Sequence, residues 1–352
     1  MRIHGGGIRG VIDFSVNVNP LAPPKLLEEE IARCCRAGVY RSYPDSNYSE
    51  LKAAISYFYD IDENSIIACN GASEALSLAI IALRPRKLLV VSPSYGDYDL
   101  LCWGIGAECR HILMREVEGA FEFDVGEVVD EAKGEMDSVI VVTNPNNPTG
   151  LVVSEDALLE LVDELEDSSW LIVDEVYAEL SGFRGLLGVE LDNVIVVRSF
   201  TKVFGVPGLR LGFAYTSSRN ILERMEAIRP TWNIGSIVET AFRETLIKFR
   251  DELWSFIRGT CRYIAEERSR LMGSLSRIGY HVYRSEANFL LLKHPWIESR
   301  ILRERLLRDY GIHVRSAHTF HGLTSFHTRV AVRRGEENDL LVRALEEVSG
   351  RG

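Results

Sequence analysis

Lysine is scarce in this chain: of the 40 basic residues among 352, 7 are lysine and the other 33 are arginine. Arginine stays protonated at physiological pH, so only those seven side chains can offer an amine nucleophile. The cysteines Cys34, Cys35, Cys69, Cys102, Cys109 and Cys261 include no C-x-x-C pair, which argues against a zinc ribbon or a thioredoxin-like redox motif. Adjacent Cys34 and Cys35 do not form an ordinary bridge, so reduced thiols are expected. No run reaches the roughly 18 apolar residues of a membrane-spanning helix. The start, Met-Arg-Ile-His-Gly-Gly-Gly, lacks the apolar stretch of a secretory signal. A cytoplasmic location with no membrane contact is the expectation. The formal net charge of -11 argues against a general nucleic-acid or anionic-membrane binder. Internal repeats, low-complexity tracts and long linkers are also missing.

What is present is an ordinary globular balance, 46% hydrophobic and 26% charged, at a length that suits two domains. Short apolar runs at Ile66–Cys69, Leu88–Ser92, Ser138–Thr143, Trp170–Asp174, Val194–Ser199 and Leu211–Tyr215 read as strands covered on both faces. Helical patterns such as Ser73–Leu83 and Ser154–Glu166 lie between them, the second opening on Ser154 as N-cap. That alternation predicts an α/β layer with a largely parallel sheet. Lys25–Ala37 reads as a helix between Pro24 and Gly38, and Gly235 to Arg277 as nearly continuous helix closed by Gly279. Then follow a strand-like Tyr280–Lys293, a helix over Ile297–Tyr310, strands at Ile312–Arg315 and Thr328–Arg333, and a last helix. The expected division is a large domain over 41–234 and a small one from 1–40 with 235–352.

Lys202 stands out among the seven lysines. It follows the strand Val194–Ser199, beside Ser199, Thr201 and Arg210, which are phosphate-binding types, and among Gly205, Gly208 and Gly212. Loops at the carboxyl ends of parallel strands are where α/β sheets hold ligands. A lysine in a phosphate-binding frame is what the Schiff base of pyridoxal phosphate requires. That cofactor needs an acid at its pyridine nitrogen, and Asp174 closes an apolar strand. It needs a donor at its phenolate oxygen, for which Asn147 and Tyr177 are candidates, and a stacking ring, for which Tyr95 is placed just after a strand. Its phosphate needs a helix N-terminus, and Gly71, Ala72 and Ser73 form the turn into a helix. Each piece alone is ordinary turn or packing chemistry. All five in order, each directly after a strand, carry the reading.

The run of Gly-Ala-Ser-Glu, Pro-Ser-Tyr, Pro-Asn-Asn-Pro-Thr-Gly, Asp-Glu-x-Tyr, Ser-x-Thr-Lys and Gly-Leu-Arg-x-Gly resembles the fold-type I pyridoxal-phosphate enzymes of the aspartate aminotransferase superfamily. The resemblance spans essentially the whole chain. It implies Lys202 as the Schiff-base lysine, Asp174 at the pyridine nitrogen, Asn147 and Tyr177 at the phenolate oxygen, and Tyr95 stacked on the ring. It places Gly71, Ala72, Ser73, Ser199, Thr201 and Arg210 around the phosphate. It also implies a homodimer with shared sites, in which Tyr43 reaches the phosphate of the partner copy.

Two branches read closest, histidinol-phosphate aminotransferases and L-threonine-O-3-phosphate decarboxylases. His4-Gly-Gly-Gly, the segment Asp13-Phe-Ser-Val-Asn-Val-Asn-Pro-Leu, and Arg229-Pro-Thr-Trp-Asn-Ile are similar to the decarboxylases. Ala22 for Gly, an inserted Thr231 and Ile234 for Val are departures. The resemblance implies decarboxylation of L-threonine O-3-phosphate to (R)-1-amino-2-propanol phosphate, on the way to cobalamin. The alternative it implies is an aminotransferase acting on histidinol phosphate with 2-oxoglutarate and glutamate. Arg329 is the expected guanidinium fork for the substrate's acidic group, on a strand with Thr328 and Val330 pointing the other way. His4, Asn17 and Arg315 are the candidates for the rest of the substrate's phosphate and carboxylate. His318, His321 and His327 invite a metal reading, but no Cys or carboxylate stands at ligand spacing, so no metal is expected.

Overall fold

The computed structural model describes residues 5–134, 138–165 and 168–350. Glu166, the expected end of one helix, lies outside them; the helix itself runs Glu155–Glu164, and Ser154 Oγ accepts from the Ala157 N–H at 3.2 Å. The large sheet contains β1 (Ile66–Cys69), β2 (Lys87–Ser92), β3 (Glu108–Leu113), β4 (Ser138–Thr143), β5 (Trp170–Asp174), β6 (Val194–Ser199) and β7 (Gly212–Tyr215). Its order is β1-β7-β6-β5-β4-β2-β3, with β7 antiparallel to both neighbours and every other pair parallel. Successive residues of the apolar strands feed opposite faces. Ile66 and Ala68 join one core with Leu89 and Val91, while Ile67 and Cys69 join another with Leu88 and Val90. Helices cover both faces, so the strands show no alternation of polarity. β3 is the edge strand the apolar-run reading passed over, because exposed residues alternate along it with partly buried Cys109 and His111 and buried Ile112.

The C-terminal part of the chain builds a second sheet of β8 (His281–Val282), β9 (Phe289–Lys293), β10 (Arg315–Ser316) and β11 (His327–Ala331), in the order β8-β9-β11-β10. The expected strand over Tyr280–Lys293 is thus interrupted between β8 and β9. There the Glu286 N–H donates to the Gly150 carbonyl at 2.8 Å, tying the break to the loop after β4. Ile312–His313 pairs in parallel with Ile12–Asp13, separate from β10. The two-residue period decides which face of this sheet each side chain takes. Leu290, Leu292 and Val330 pack under helices with Leu302, Leu306 and Leu341, and Arg329 pairs with Leu291 on the opposite face.

The helical stretch after Gly235 is two helices, Ser236–Lys248 and Arg250–Arg277, separated at Phe249 with φ -127. The first packs against Lys25–Ala37 and Ser49–Tyr59, and its Phe242 and Leu246 share a core with Leu27 and Ile66. No helix of the described residues is long and apolar enough to cross a membrane.

Candidate active site

β1 runs in the same direction as β2, β4, β5 and β6, so the loops after all five leave one edge of the sheet. β7 runs the other way, which brings Arg210, just before it, to that same edge. The loops enclose a cavity lined by Ala72, Ser73, Tyr95, Asn147, Asp174, Tyr177, Ser199, Thr201, Lys202 and Arg210. Asp174 is buried; its Oδ2 accepts from the Tyr98 hydroxyl at 3.1 Å and its Oδ1 from the Val176 N–H at 3.4 Å. Burial pushes its pKa up to about 6, against the pull of these donors and of Lys202. A carboxylate held this way is best satisfied by a cation arriving in the cavity. Glu175, next in sequence, turns away from it to meet buried Arg198 at 2.7 Å.

The Asn144–Gly150 loop braces itself. Asn144 exchanges two 2.9 Å bonds with Val153, and Asn146 accepts from the Thr149 hydroxyl and donates to the Pro93 carbonyl. Asn147 is the asparagine of this loop whose side chain is left for the cavity. At the other end Gly71 caps the helix Ala72–Leu83 with φ 77 and ψ 166, leaving first-turn N–H groups at the cavity. Ser199 Oγ and Thr201 Oγ1 are 2.7 Å apart. A Cβ on Gly71 would stand 2.4 Å from Arg210 Nη2, and one on Gly212 would stand 2.7 Å from both Ala72 N and Arg198 O. The absent side chains are what let the guanidinium and the helix start converge. Lys202 Nζ lies 6.0 Å from the centre of the Tyr177 ring. Tyr95 donates to Asp97 at 2.8 Å and stands edge-on to Tyr98.

The cavity continues toward the second sheet, where Gly5, Ser15, Asn17, Arg315, Phe320 and Arg329 join Lys202, Asn147 and Tyr177. Arg315 and Arg329 are register partners on β10 and β11, an arrangement of like charges that weakens a strand pair. Arg329 is buried; it donates to Asn147 Oδ1 and to the Ser15 carbonyl, and its Nε has no partner among the described residues. Burial lowers its pKa. Arg315 donates to Thr319 at 2.9 Å and lies over the Phe320 ring; burial, with Arg329 and Arg303, brings its pKa down to about 10, still a cation at neutral pH. Asn17 is buried with neither amide atom bonded among the described residues. Two facing guanidiniums and an unsatisfied amide make a pocket for an anion that also accepts and donates hydrogen bonds.

These features meet in sequence comparison as well. The description "Aminotransferase class I and II" matches residues 9–345. The chain belongs to the class I and II aminotransferase family. It is 28% identical to the threonine-phosphate decarboxylase of Salmonella typhimurium, covering 98% of this chain and 96% of that protein. It is 30% identical to the adenosylcobalamin biosynthesis bifunctional protein CobDQ of Leptospira interrogans, covering 96% of this chain but only 39% of that longer protein. Among solved structures, the histidinol-phosphate aminotransferase from Clostridium acetobutylicum superposes with a TM-score of 0.86 at 27% identity, covering 97% of this chain and 100% of that one. The fold is that of the fold-type I pyridoxal-phosphate enzymes, and the family's cofactor is pyridoxal phosphate.

The residues of this aminotransferase-family chain fit that cofactor. The glycine cradle at Gly71 and Gly212 leaves room beside a helix N-terminus, paired hydroxyls and a guanidinium, the donor set a phosphate needs. Buried Asp174 is a carboxyl that would face the ring nitrogen. Of the expected residues, Tyr43 stands apart from the cavity, 76% exposed and stacked on Trp232 at 4.2 Å, and His4 lies outside the described residues. Sequence reasoning missed Tyr98, which holds Asp174, and Asn19. The Asn19 N–H donates to the Lys202 carbonyl at 3.1 Å and its side chain to the Val203 carbonyl at 2.8 Å. Tyr98 lies one helical turn beyond Tyr95, a usable signal; Asn19 has no comparable mark.

Proposed function

We propose that this chain decarboxylates L-threonine O-3-phosphate to (R)-1-amino-2-propanol phosphate. The observation that carries the reading is the Arg315–Arg329 pair beside the unsatisfied amide of Asn17, contiguous with Lys202. A substrate bearing both a phosphate and a carboxylate matches two guanidiniums; histidinol phosphate bears only the phosphate. The N-terminal segment Asp13-Phe-Ser-Val-Asn and the similarity to threonine-phosphate decarboxylases support the same choice.

When bound, pyridoxal phosphate supplies the electron sink for the pair left at the substrate's α-carbon. Ser73, Ser199, Thr201 and Arg210 would hold its phosphate, Asp174 would keep a proton on its ring nitrogen, and Tyr95, Asn147 and Tyr177 would fix the ring. Arg329, Arg315 and Asn17 would hold the substrate's acidic groups and so decide which substituent of the α-carbon is presented to that sink. Presenting the carboxylate would let it leave as carbon dioxide, with a proton taking its place on the carbon. The Lys202 ammonium returns a proton to the carbon. The same reading takes Tyr43, exposed and stacked on Trp232, to the phosphate of a second copy in a homodimer with shared sites.

The test is to incubate the holoenzyme with threonine phosphate, and separately with histidinol phosphate plus 2-oxoglutarate, measuring carbon dioxide and glutamate. Carbon dioxide from the first mixture is expected. Glutamate from the second with no carbon dioxide from the first would overturn the assignment in favour of the aminotransferase.

A further inference from the structure

A second cluster of reactive side chains lies outside the cavity lining. Asp99 stands in the helix Asp97–Ile105, Cys109 and His111 on edge strand β3, and His321 in the small-domain loop after β10. His111 Nε2 is 2.9 Å from Asp99 Oδ1, and His321 Nε2 is 3.1 Å from Asp99 Oδ2. The imidazoles stack with centroids 3.6 Å and planes 20° apart, and Cys109 Sγ is 3.9 Å from His111 Nε2. The donor atoms of Asp99, Cys109 and His111 all lie within 4.8 Å of one another. A tetrahedral zinc site with bonds of about 2.0–2.3 Å has donors roughly 3.3–3.8 Å apart. Contraction by about 1 Å closes this set of three, and His321 joins it as the fourth donor by turning out of its stack on His111, since an imidazole binds a metal in its own plane. The other ring nitrogen of His111 is already fixed, 2.8 Å from Ser92 Oγ, as in metal sites where an outer partner orients the ligand.

We propose that Asp99, Cys109, His111 and His321 bind a divalent cation of the zinc class. Two imidazoles, a thiolate and a carboxylate are the ligand set that ion prefers, and the two anionic donors offset its charge. Coordination releases the Cys109 thiol proton to water and leaves both histidines neutral; nothing is oxidised or reduced. The site joins the two domains. Phe320, beside His321, lines the substrate half of the cavity and lies beneath Arg315. A Cβ on Gly322 would be 3.3 Å from Leu113, so the loop already lies against β3. A bound ion fastens residues 317–323, and with them the setting of Arg315, to the large domain. The spacing in sequence hid this, because His321 and Asp99 are 222 residues apart.

The test uses the full chain, stripped with a chelator and kept in a phosphine reductant so that Cys109 remains a thiol beside Cys102. Equilibrium dialysis against micromolar zinc chloride should give one zinc per chain, and cobalt(II) should give the intense visible bands of a tetrahedral thiolate site. His321→Ala on the half-exposed loop and Cys109→Ser should each weaken zinc binding at least about tenfold, with circular dichroism unchanged. Cys35→Ser, removing an exposed thiol elsewhere, should leave it intact. Zinc should also slow amide exchange over 317–323 in the parent chain and not in His321→Ala. Failure to bind zinc stoichiometrically, or binding indifferent to both ligand variants, would overturn the site and leave a hydrogen-bonded His–Asp–His stack. Binding without slowed exchange would overturn the fastening. None of these readouts depends on which reaction the cavity performs.

Discussion

Gly71→Ala isolates the cradle on which cofactor binding rests. The residue sits at φ 77 and ψ 166, a region that residues with a side chain occupy only at about 1–3 kcal/mol. That strain falls on the free protein. A second effect falls on the cofactor alone, since the new Cβ stands 2.4 Å from Arg210 Nη2. The guanidinium has to swing away, because Arg210 is itself at φ 57 and its backbone is already committed. Losing one charge-assisted hydrogen bond to a phosphate costs about 1.5–3 kcal/mol, which is about 10- to 150-fold in dissociation constant. Two assays separate the effects. Denaturant unfolding of the cofactor-free variant should show the strain, and titration with pyridoxal phosphate, followed by its absorbance, should show the affinity loss. Arg210→Met should reproduce the affinity loss without the strain. A Gly71→Ala chain that binds pyridoxal phosphate as tightly as the parent would refute the convergence of Arg210 and the helix start as the phosphate site.

Three further outcomes follow from the same geometry. The Asp174 carboxyl titrates near 3.8 unfolded and at about 6 folded, so the folded cofactor-free chain binds the extra proton between those values. Its stability therefore declines as pH rises through that window, by about 3 kcal/mol in all. Asp174→Asn should be more stable than the parent above pH ~6 and lose that advantage below pH ~4, measured by unfolding across the pH series, while cofactor affinity falls. Equal stabilities at all pH values would show that burial does not raise this carboxyl. Asn17→Ala removes an amide without a partner among the described residues, so unfolding should show little or no loss of stability. Its kcat/KM for threonine phosphate should drop about tenfold, the worth of one hydrogen bond. Arg329→Met should lower kcat/KM by about 10- to 150-fold, through kcat as well as KM, and a substrate lacking one acidic group should be affected less.

Much of the cofactor half was legible because its residues follow fully apolar strands. Asp174, Lys202 and Asn147 each come directly after a run whose polarity never alternates, and a doubly covered parallel strand is the physical cause of such a run. β3 escaped because an edge strand with a wet face has no continuous apolar run. The break at Phe249 escaped because it contains neither proline nor glycine, so the helical period carries across it. The interruption at Tyr283–Asn288 exists for long-range reasons. Arg268 donates to the Glu286 and Ala287 carbonyls at 2.9 and 3.0 Å there, contacts that no local pattern announces. The histidine cluster was hidden in the same way, since spacing along the chain cannot place His321 against Asp99.

The two halves of the cavity come from different parts of the chain, and the joint between them explains how one scaffold serves different reactions. The middle of the chain supplies the cofactor half, with Ser73, Asp174, Lys202 and Arg210 fixed by the sheet edge. The chain ends supply the substrate half, through Asn17, Arg315 and Arg329. The N-terminal segment ties the two together within five residues. The Ser15 carbonyl receives Arg329, and the Asn19 N–H donates to the carbonyl of Lys202. A shift of this segment therefore moves the substrate's anion clamp and the backbone of the catalytic lysine together. On the proposed function, that clamp sets which substituent of the α-carbon is presented to the cofactor. On the proposed function, Asp13–Asn19 and β10–β11 are therefore where sequence change should redirect the reaction while the phosphate cradle at Gly71 and the carboxylate at Asp174 stay as they are.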